Sequence, residues 1–209
     1  MLTLDQLERA AGIPRQRAEL WLPHINQALR ESRCTTPEQI AQWIAQVGHE
    51  SGDFVRLVES LDYKPDALKR TWPSRYNDWL ANQHGRSLAK PADQRAIANH
   101  VYGGRLGNVG PDDGWRYRGR GLIQVTGREN YAKCGTALGL DLIAHPELLE
   151  VRQHAAESAA WYWRTRDLDV VGGDVELATK IVNGWANGLA DRKARYAKAI
   201  GVLGLVRVS

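Results

Sequence analysis

The chain has 209 residues, 43% of them hydrophobic and 25% charged, with a mean hydropathy of −0.45. That size and balance suit one compact domain, read here as a single unit over 1–209, with a sizeable core. Its net charge of +4 and pI near 9.2 favour polyanionic surroundings. However, no run of five basic residues, helix-turn-helix spacing or zinc-finger spacing points to nucleic acid, and no 18-residue apolar run supports membrane insertion.

The first nine residues carry Asp5 and lack an apolar targeting core, so no export signal is read there. Instead, Thr3-Leu4-Asp5-Gln6 forms a capping box opening a helix to about Ala11. A second helix is expected from near Pro14 and a third from about Pro23 to Glu31. Thr36-Pro37-Glu38-Gln39 is a strong helix start, with Thr as N-cap, Pro at the first position and Gln at the third. From there Ile40, Trp43, Ile44 and Val47 recur at helical spacing, and Glu50 follows on the same stripe. Residues 64–114 read as a smaller lobe or insertion, with a short helix from about Pro91 to Val101.

Between Gly103 and Gly121 seven of nineteen residues are Gly, which marks a long functional loop. Leu122-Ile123-Gln124-Val125 then reads as a brief extended run. Helices are expected over about 129–138, 146–165 and 174–183, and a last one from about Ala190 to Leu203. The fold class is mainly α.

Cys34 and Cys134 lie far apart in no metal spacing, so free thiols in a reducing compartment are expected, with a single disulfide left open. Eight Trp stand against one Phe. Core packing accounts for most of them, and some are expected to line a groove, where indole faces stack on sugar rings.

The chemistry centres on Gly48-His49-Glu50-Ser51-Gly52 and on Glu59 in Val58-Glu59-Ser60-Leu61-Asp62-Tyr63. Glu50 ends an apolar stripe and Glu59 lies in a more polar segment. Two carboxylates in unlike surroundings are what glycosidic hydrolysis needs, one protonated as acid and one ionised as base. His49-Glu50 is not a zincin motif, since Asp53 stands where its second His belongs, and the other histidines form no ligand cluster. The Ser is one place from a nucleophile elbow, and no complete dinucleotide or P-loop motif occurs. No metal and no cofactor are expected.

The remaining block is Tyr117-Arg118-Gly119-Arg120-Gly121-Leu122-Ile123-Gln124-Val125-Thr126-Gly127-Arg128-Glu129-Asn130-Tyr131. Gln124, Thr126 and Asn130 offer amides and a hydroxyl to sugar hydroxyls or to a nucleophilic water, although a polar turn with capping residues would use the same types.

Taken in order, H-E-S-G, V-E-S-L-D-Y, this block and Ile181-Val182-Asn183-Gly184 resemble glycoside hydrolase family 19, which comprises plant-type chitinases and many phage endolysins. The resemblance spans about residues 36–200. It implies a lysozyme-like α-rich fold, two lobes around a substrate cleft, and hydrolysis with inversion at β-1,4 linkages beside N-acetylated amino sugars. It also implies Glu50 as general acid, Glu59 as general base and Thr126 as a holder of the attacking water. Gln124, Asn130, Asn183 and Tyr63 would line the site, with Arg192 as a partner of the acidic pair. In an inverting site the two carboxyls stand roughly 6.5–9.5 Å apart. Two features depart from the plant pattern: Glu50 and Glu59 are closer in sequence, and Trp185 replaces a Gly.

The expected function is that of a phage endolysin cleaving bacterial peptidoglycan glycan strands and lysing the host. It would act as a monomer that reaches the wall from the host cytoplasm once the membrane is permeabilised. A chitinase is the alternative within the family. A non-catalytic sugar-binding wall protein is the alternative of another class, which would have no need for an acid/base pair.

Overall fold

The computed structural model describes residues 1–184 and 187–204; Trp185 lies outside them. Among the described residues eleven α-helices in chain order are joined by loops and two 3-10 segments, and β-structure is confined to the isolated bridges Val58–Arg120 and Arg120–Val125. The fold is mainly α. No described helix is long and apolar enough to cross a membrane.

Two compact units divide the chain. The first comprises residues 1–57, 121–124 and 147–209, and contains α1 (Leu4–Ala11), α2 (Arg15–Glu31), α3 (Pro37–Ser51), α9 (Arg152–Arg164), α10 (Val175–Asn183) and α11 (Leu189–Leu203). Helix α3 packs against α1, α10 and α11, and α2 packs against α9. The core is built from Leu7, Ile25, Trp43, Ile44, Val47, Leu122, Trp163 and Ala199, all nearly inaccessible to solvent.

Helices α1 and α3 start as their capping boxes predict. Thr3 caps α1 and Thr36 caps α3, each accepting from the backbone of a Gln three residues on. The two helices expected around Pro14 and Pro23 are one, α2, with Pro23 inside it. Pro23 is exposed, as is Glu19 one turn earlier, so water can take over the carbonyl that a proline nitrogen cannot serve. Trp21, Ile25, Ala28 and Leu29 meanwhile keep one apolar face buried across the proline.

The second unit comprises residues 58–120 and 125–146. It contains α4 (Pro65–Thr71), α5 (Asp78–His84), α6 (Gln94–Tyr102), the short α7 (Asp113–Arg116) and α8 (Arg128–Leu138). Leu61, Leu68, Tyr76, Ala81, Ile97, Ala98 and Val101 form its core, with Tyr63, Trp72, Tyr102 and Trp115 packed on the edge. Helices α4 and α5 carry no long apolar period, so the sequence pattern did not reveal them. Their starts are instead set by Pro65 at a first position and by Asn77, whose side chain accepts from the Leu80 amide.

The extended run expected at 122–125 is a turn. Gln124 is left-handed, with φ 57, and its amide donates back to the Gly121 carbonyl at 3.3 Å. Gly121 has φ 79, and a Cβ there would lie 2.5 Å from the Ser158 hydroxyl. Leu122 and Ile123 are therefore buried through a glycine turn, without a sheet. Another difference lies at 146–165, where a 3-10 segment (Pro146–Glu150) precedes α9 and Val151 separates them.

Candidate active site

In the first unit, Gln42, Gln46 and Glu50 stand four residues apart on α3 and form a polar seam in an otherwise buried face. Gln42 donates to the Asp174 carbonyl at 2.9 Å, and Gln46 donates to the Thr179 hydroxyl at 3.2 Å. The seam continues through Arg192 of α11, whose side chain is only 1% exposed. One guanidinium nitrogen donates to Gln46 Oε1 at 2.5 Å and another to Glu50 Oε1. Glu50 thus ends a helix face as the sequence predicts, and its immediate partner is a buried cation. Its side chain keeps 22% exposure.

In the second unit, Glu59 is held by two donors. The Gly119 amide reaches Oε1 at 2.5 Å, and the Tyr102 hydroxyl reaches Oε2 at 2.8 Å. The Glu59 amide in turn donates to the Gly119 carbonyl at 2.9 Å. Burial first, and then the charge and hydrogen bond of Glu59, push the Tyr102 phenol far above its usual range, so it remains a donor. Tyr63 lies nearby; burial and then the Glu59 charge raise its phenol too, and its ring meets Trp72 edge-on at 5.2 Å.

The Arg-Gly-Arg segment is anchored from behind. Arg120 is buried and donates to the Arg116 carbonyl at 2.7 Å and the Tyr131 hydroxyl at 3.1 Å. Tyr131 donates to the Arg118 carbonyl at 2.6 Å, and the Arg118 guanidinium stacks on Trp115 at 3.8 Å. This scaffold fixes the Gly119 amide that grips Glu59.

The remaining predicted residues mostly make local bonds. Gln124 donates to the Gly121 carbonyl at 3.0 Å, and Asn130, in the first turn of α8, to the Thr126 carbonyl at 2.8 Å. Asn183, the last residue of α10, donates to the Asn187 carbonyl at 3.2 Å. Thr126 is half-buried just before α8.

The structure therefore joins Glu50 with Arg192 in one unit, and Glu59 with the Tyr63 region in the other. Sequence reasoning did not single out Tyr102 or Gln46. The four-residue spacing of Gln42, Gln46 and Glu50 was a readable signal for the latter. Tyr102, 43 residues from Glu59, had none beyond its place before a Gly-Gly pair. Among the described residues no group of three or more His, Cys, Asp or Glu is arranged to hold a metal.

The family model described as chitinase class I, that of glycoside hydrolase family 19, matches residues 93–206. A glycosyl hydrolase family 19 domain-containing protein of Haemophilus influenzae is 38% identical over 175 residues, covering 82% of this chain and 84% of that protein. Acidic endochitinase Q of Nicotiana tabacum is 36% identical over 94 residues, 44% of this chain and 35% of its own length. The crystal structure of a bacterial family 19 chitinase has a TM-score of 0.62 at 22% identity, covering 97% of this chain and 94% of that one. The chain belongs to glycoside hydrolase family 19: it is a chitinase-like glycoside hydrolase with a helix-rich, lysozyme-like fold.

Proposed function

We propose that this glycoside hydrolase is a phage endolysin that cleaves β-1,4 bonds of bacterial peptidoglycan with inversion, using Glu50 as general acid and Glu59 as general base. The observation that carries the assignment is the unlike anchoring of the two carboxyls. Arg192 holds Oε1 of Glu50, and no hydrogen bond from a described residue reaches Oε2, which is left to carry a proton to the leaving oxygen. Glu59 accepts one bond on each oxygen, from Gly119 and Tyr102. A carboxylate has about four lone-pair sites, so others remain to receive a proton from an attacking water. Thr126 helps hold that water, and Gln124, Asn130, Asn183 and Tyr63 meet the glycan. No cofactor takes part, and the protein acts as a monomer once the host membrane is breached.

Support for peptidoglycan comes from the charge distribution. The second unit has thirteen Lys and Arg against nine Asp and Glu, whereas the first has fifteen of each. The whole net charge therefore sits with Glu59, which suits an anionic wall polymer. A relative matched along most of its length is bacterial. A chitinase is the second reading, favoured by the names of the plant relatives.

Purified protein added to peptidoglycan sacculi and to colloidal chitin separates the two. Soluble muropeptides released from sacculi with α-anomeric new reducing ends are expected. Release from chitin alone would make the protein a chitinase, and β-anomeric products would exclude inversion.

A further inference from the structure

Two residues past Glu50, where α3 ends, the backbone turns left-handed and stays so for three residues: Gly52 has φ 56, Asp53 has φ 64 and Phe54 has φ 63. Aspartate and phenylalanine adopt this region only at a cost, and it persists where surroundings over-determine it. Several contacts do so here. The Ser51 hydroxyl accepts from the Phe54 amide at 2.9 Å, and the Asp53 amide donates to the Gly48 carbonyl at 2.8 Å. Arg17 donates to the Asp53 carbonyl at 3.3 Å, and Phe54 is buried against Trp21.

Strained, well-clamped backbone next to a candidate acid points to a positional demand. The clamp extends onto α11 as a ladder of charged groups. Arg195 pairs with the Asp53 carboxylate and also donates to Asp191 Oδ2 at 2.6 Å. The same Asp191 oxygen meets His49 Nδ1 at 2.6 Å. Burial opposes the charge on Asp191, but the hydrogen bonds from His49 and Arg195 outweigh it and hold its carboxyl below the usual range. Gly188 lies so close to the His49 ring that an added Cβ would collide with it. The residue after Asp191 is Arg192, which grips Glu50.

We propose that Asp53, Asp191, Arg195 and His49 are positioning residues for the general acid. The outer ladder Asp53–Arg195–Asp191–His49 fixes the register of α11 on α3, so that the buried guanidinium of Arg192 meets the Glu50 carboxyl in one orientation. Among the described residues no hydrogen bond or ion pair joins the side chain of any of the four to the Glu50 carboxyl, whose partner is Arg192, although His49 precedes Glu50 in the chain. Small displacements of a reacting group lower turnover by roughly a hundredfold per ångström, which makes such a brace worth its strain. The inference rests on the reading of Glu50 as the acid.

Asp53→Asn is the most telling variant, because Asn tolerates the left-handed region and keeps the shape while removing the charge that Arg195 uses. Asp191→Asn does the same at the other end of the ladder, and the double variant completes a cycle. Turnover and KM are measured on soluble peptidoglycan glycan chains and on chitohexaose, with melting temperature alongside, and Glu50→Gln as reference. The expected result is a fall in kcat of about tenfold or more in each single variant. KM should stay within about twofold, and the double variant should be no worse than the poorer single. A purely structural ladder would lower the melting temperature and leave kcat within twofold. That result, or losses that multiply in the double variant, overturns the proposal. An active Glu50→Gln would overturn the acid assignment and this inference with it, and is distinguished by the reference variant itself.

Discussion

Glu50→Gln removes a proton donor with little change in volume, so a folded variant should lose activity by roughly 10²–10⁴-fold, the usual range for general acid catalysis. Turbidity clearing of permeabilised Gram-negative cells measures it, and wild-type clearing would end the assignment. Tyr102→Phe tests the other carboxyl. It deletes only the hydroxyl that donates to Glu59 Oε2 at 2.8 Å. One orienting bond lost from a charged acceptor should lower kcat about tenfold, equivalent to roughly 1.4 kcal/mol, with little change in melting temperature. Unchanged turnover would show that the Gly119 amide alone is sufficient. The two cases also show what a sequence can disclose about a site. Glu50 and Glu59 stand in short motifs and could be named, along with the role that each motif implies. Their partners could not be derived, because Arg192 lies 142 residues from Glu50 and Tyr102 lies 43 residues from Glu59. Arg192 was reached only through the family resemblance.

Among the elements, α3 carries Glu50, the proposed acid, and its start is set by a full capping box with Pro37 at the first position. Thr36 accepts from the Gln39 amide, Gln39 answers to the Thr36 backbone at 3.0 Å, and Pro37 occupies the first position. Thr36→Ala should cost about 1 kcal/mol. That cost should be seen as a lower melting temperature, with turnover unchanged at temperatures where the variant is folded. A loss of turnover without loss of stability would contradict a capping role. Where local chemistry set the boundary, as here and at Thr3, it was legible. It was not legible at Pro23, whose helix-breaking chemistry is overridden because the proline lies on the solvent face of α2 while Trp21 and Ile25 bury the other. Nor was it legible at Leu122–Val125, where apolar residues that look strand-like are buried by a turn that depends on Gly121. In both places tertiary burial decided the outcome, and periodicity over a short window does not report it.

At the scale of the whole molecule, stability should depend on pH through histidines in both units. In the first, burial and then the Arg152 charge hold His24 below the usual imidazole range, against a weaker opposing effect of Glu157. In the second, burial and then the His100 charge do the same to His84, with Asp93 opposing, and His84 sits within hydrogen-bond distance of the Tyr76 hydroxyl at 3.1 Å. A folded-state imidazole held below 6.5 takes up its proton later than the unfolded chain does as the pH falls. Between the ordinary value and the depressed one the unfolded state binds more protons, so stability is complete above about pH 7 and declines as the pH drops below 6.5. Asp112 and Asp191 add a second loss at lower pH, because their depressed carboxyls stabilise the fold only while ionised. The melting temperature should therefore fall between pH 7.5 and 5.5. His84→Phe, which keeps an aromatic ring and cannot take up a proton, should show a smaller fall over the same interval even if it is less stable at pH 7.5. A wild-type melting temperature that is flat or rising toward pH 5.5 would remove the histidines as determinants. An equal fall in His84→Phe would remove His84 alone and leave His24 as the group whose protonation loosens the fold.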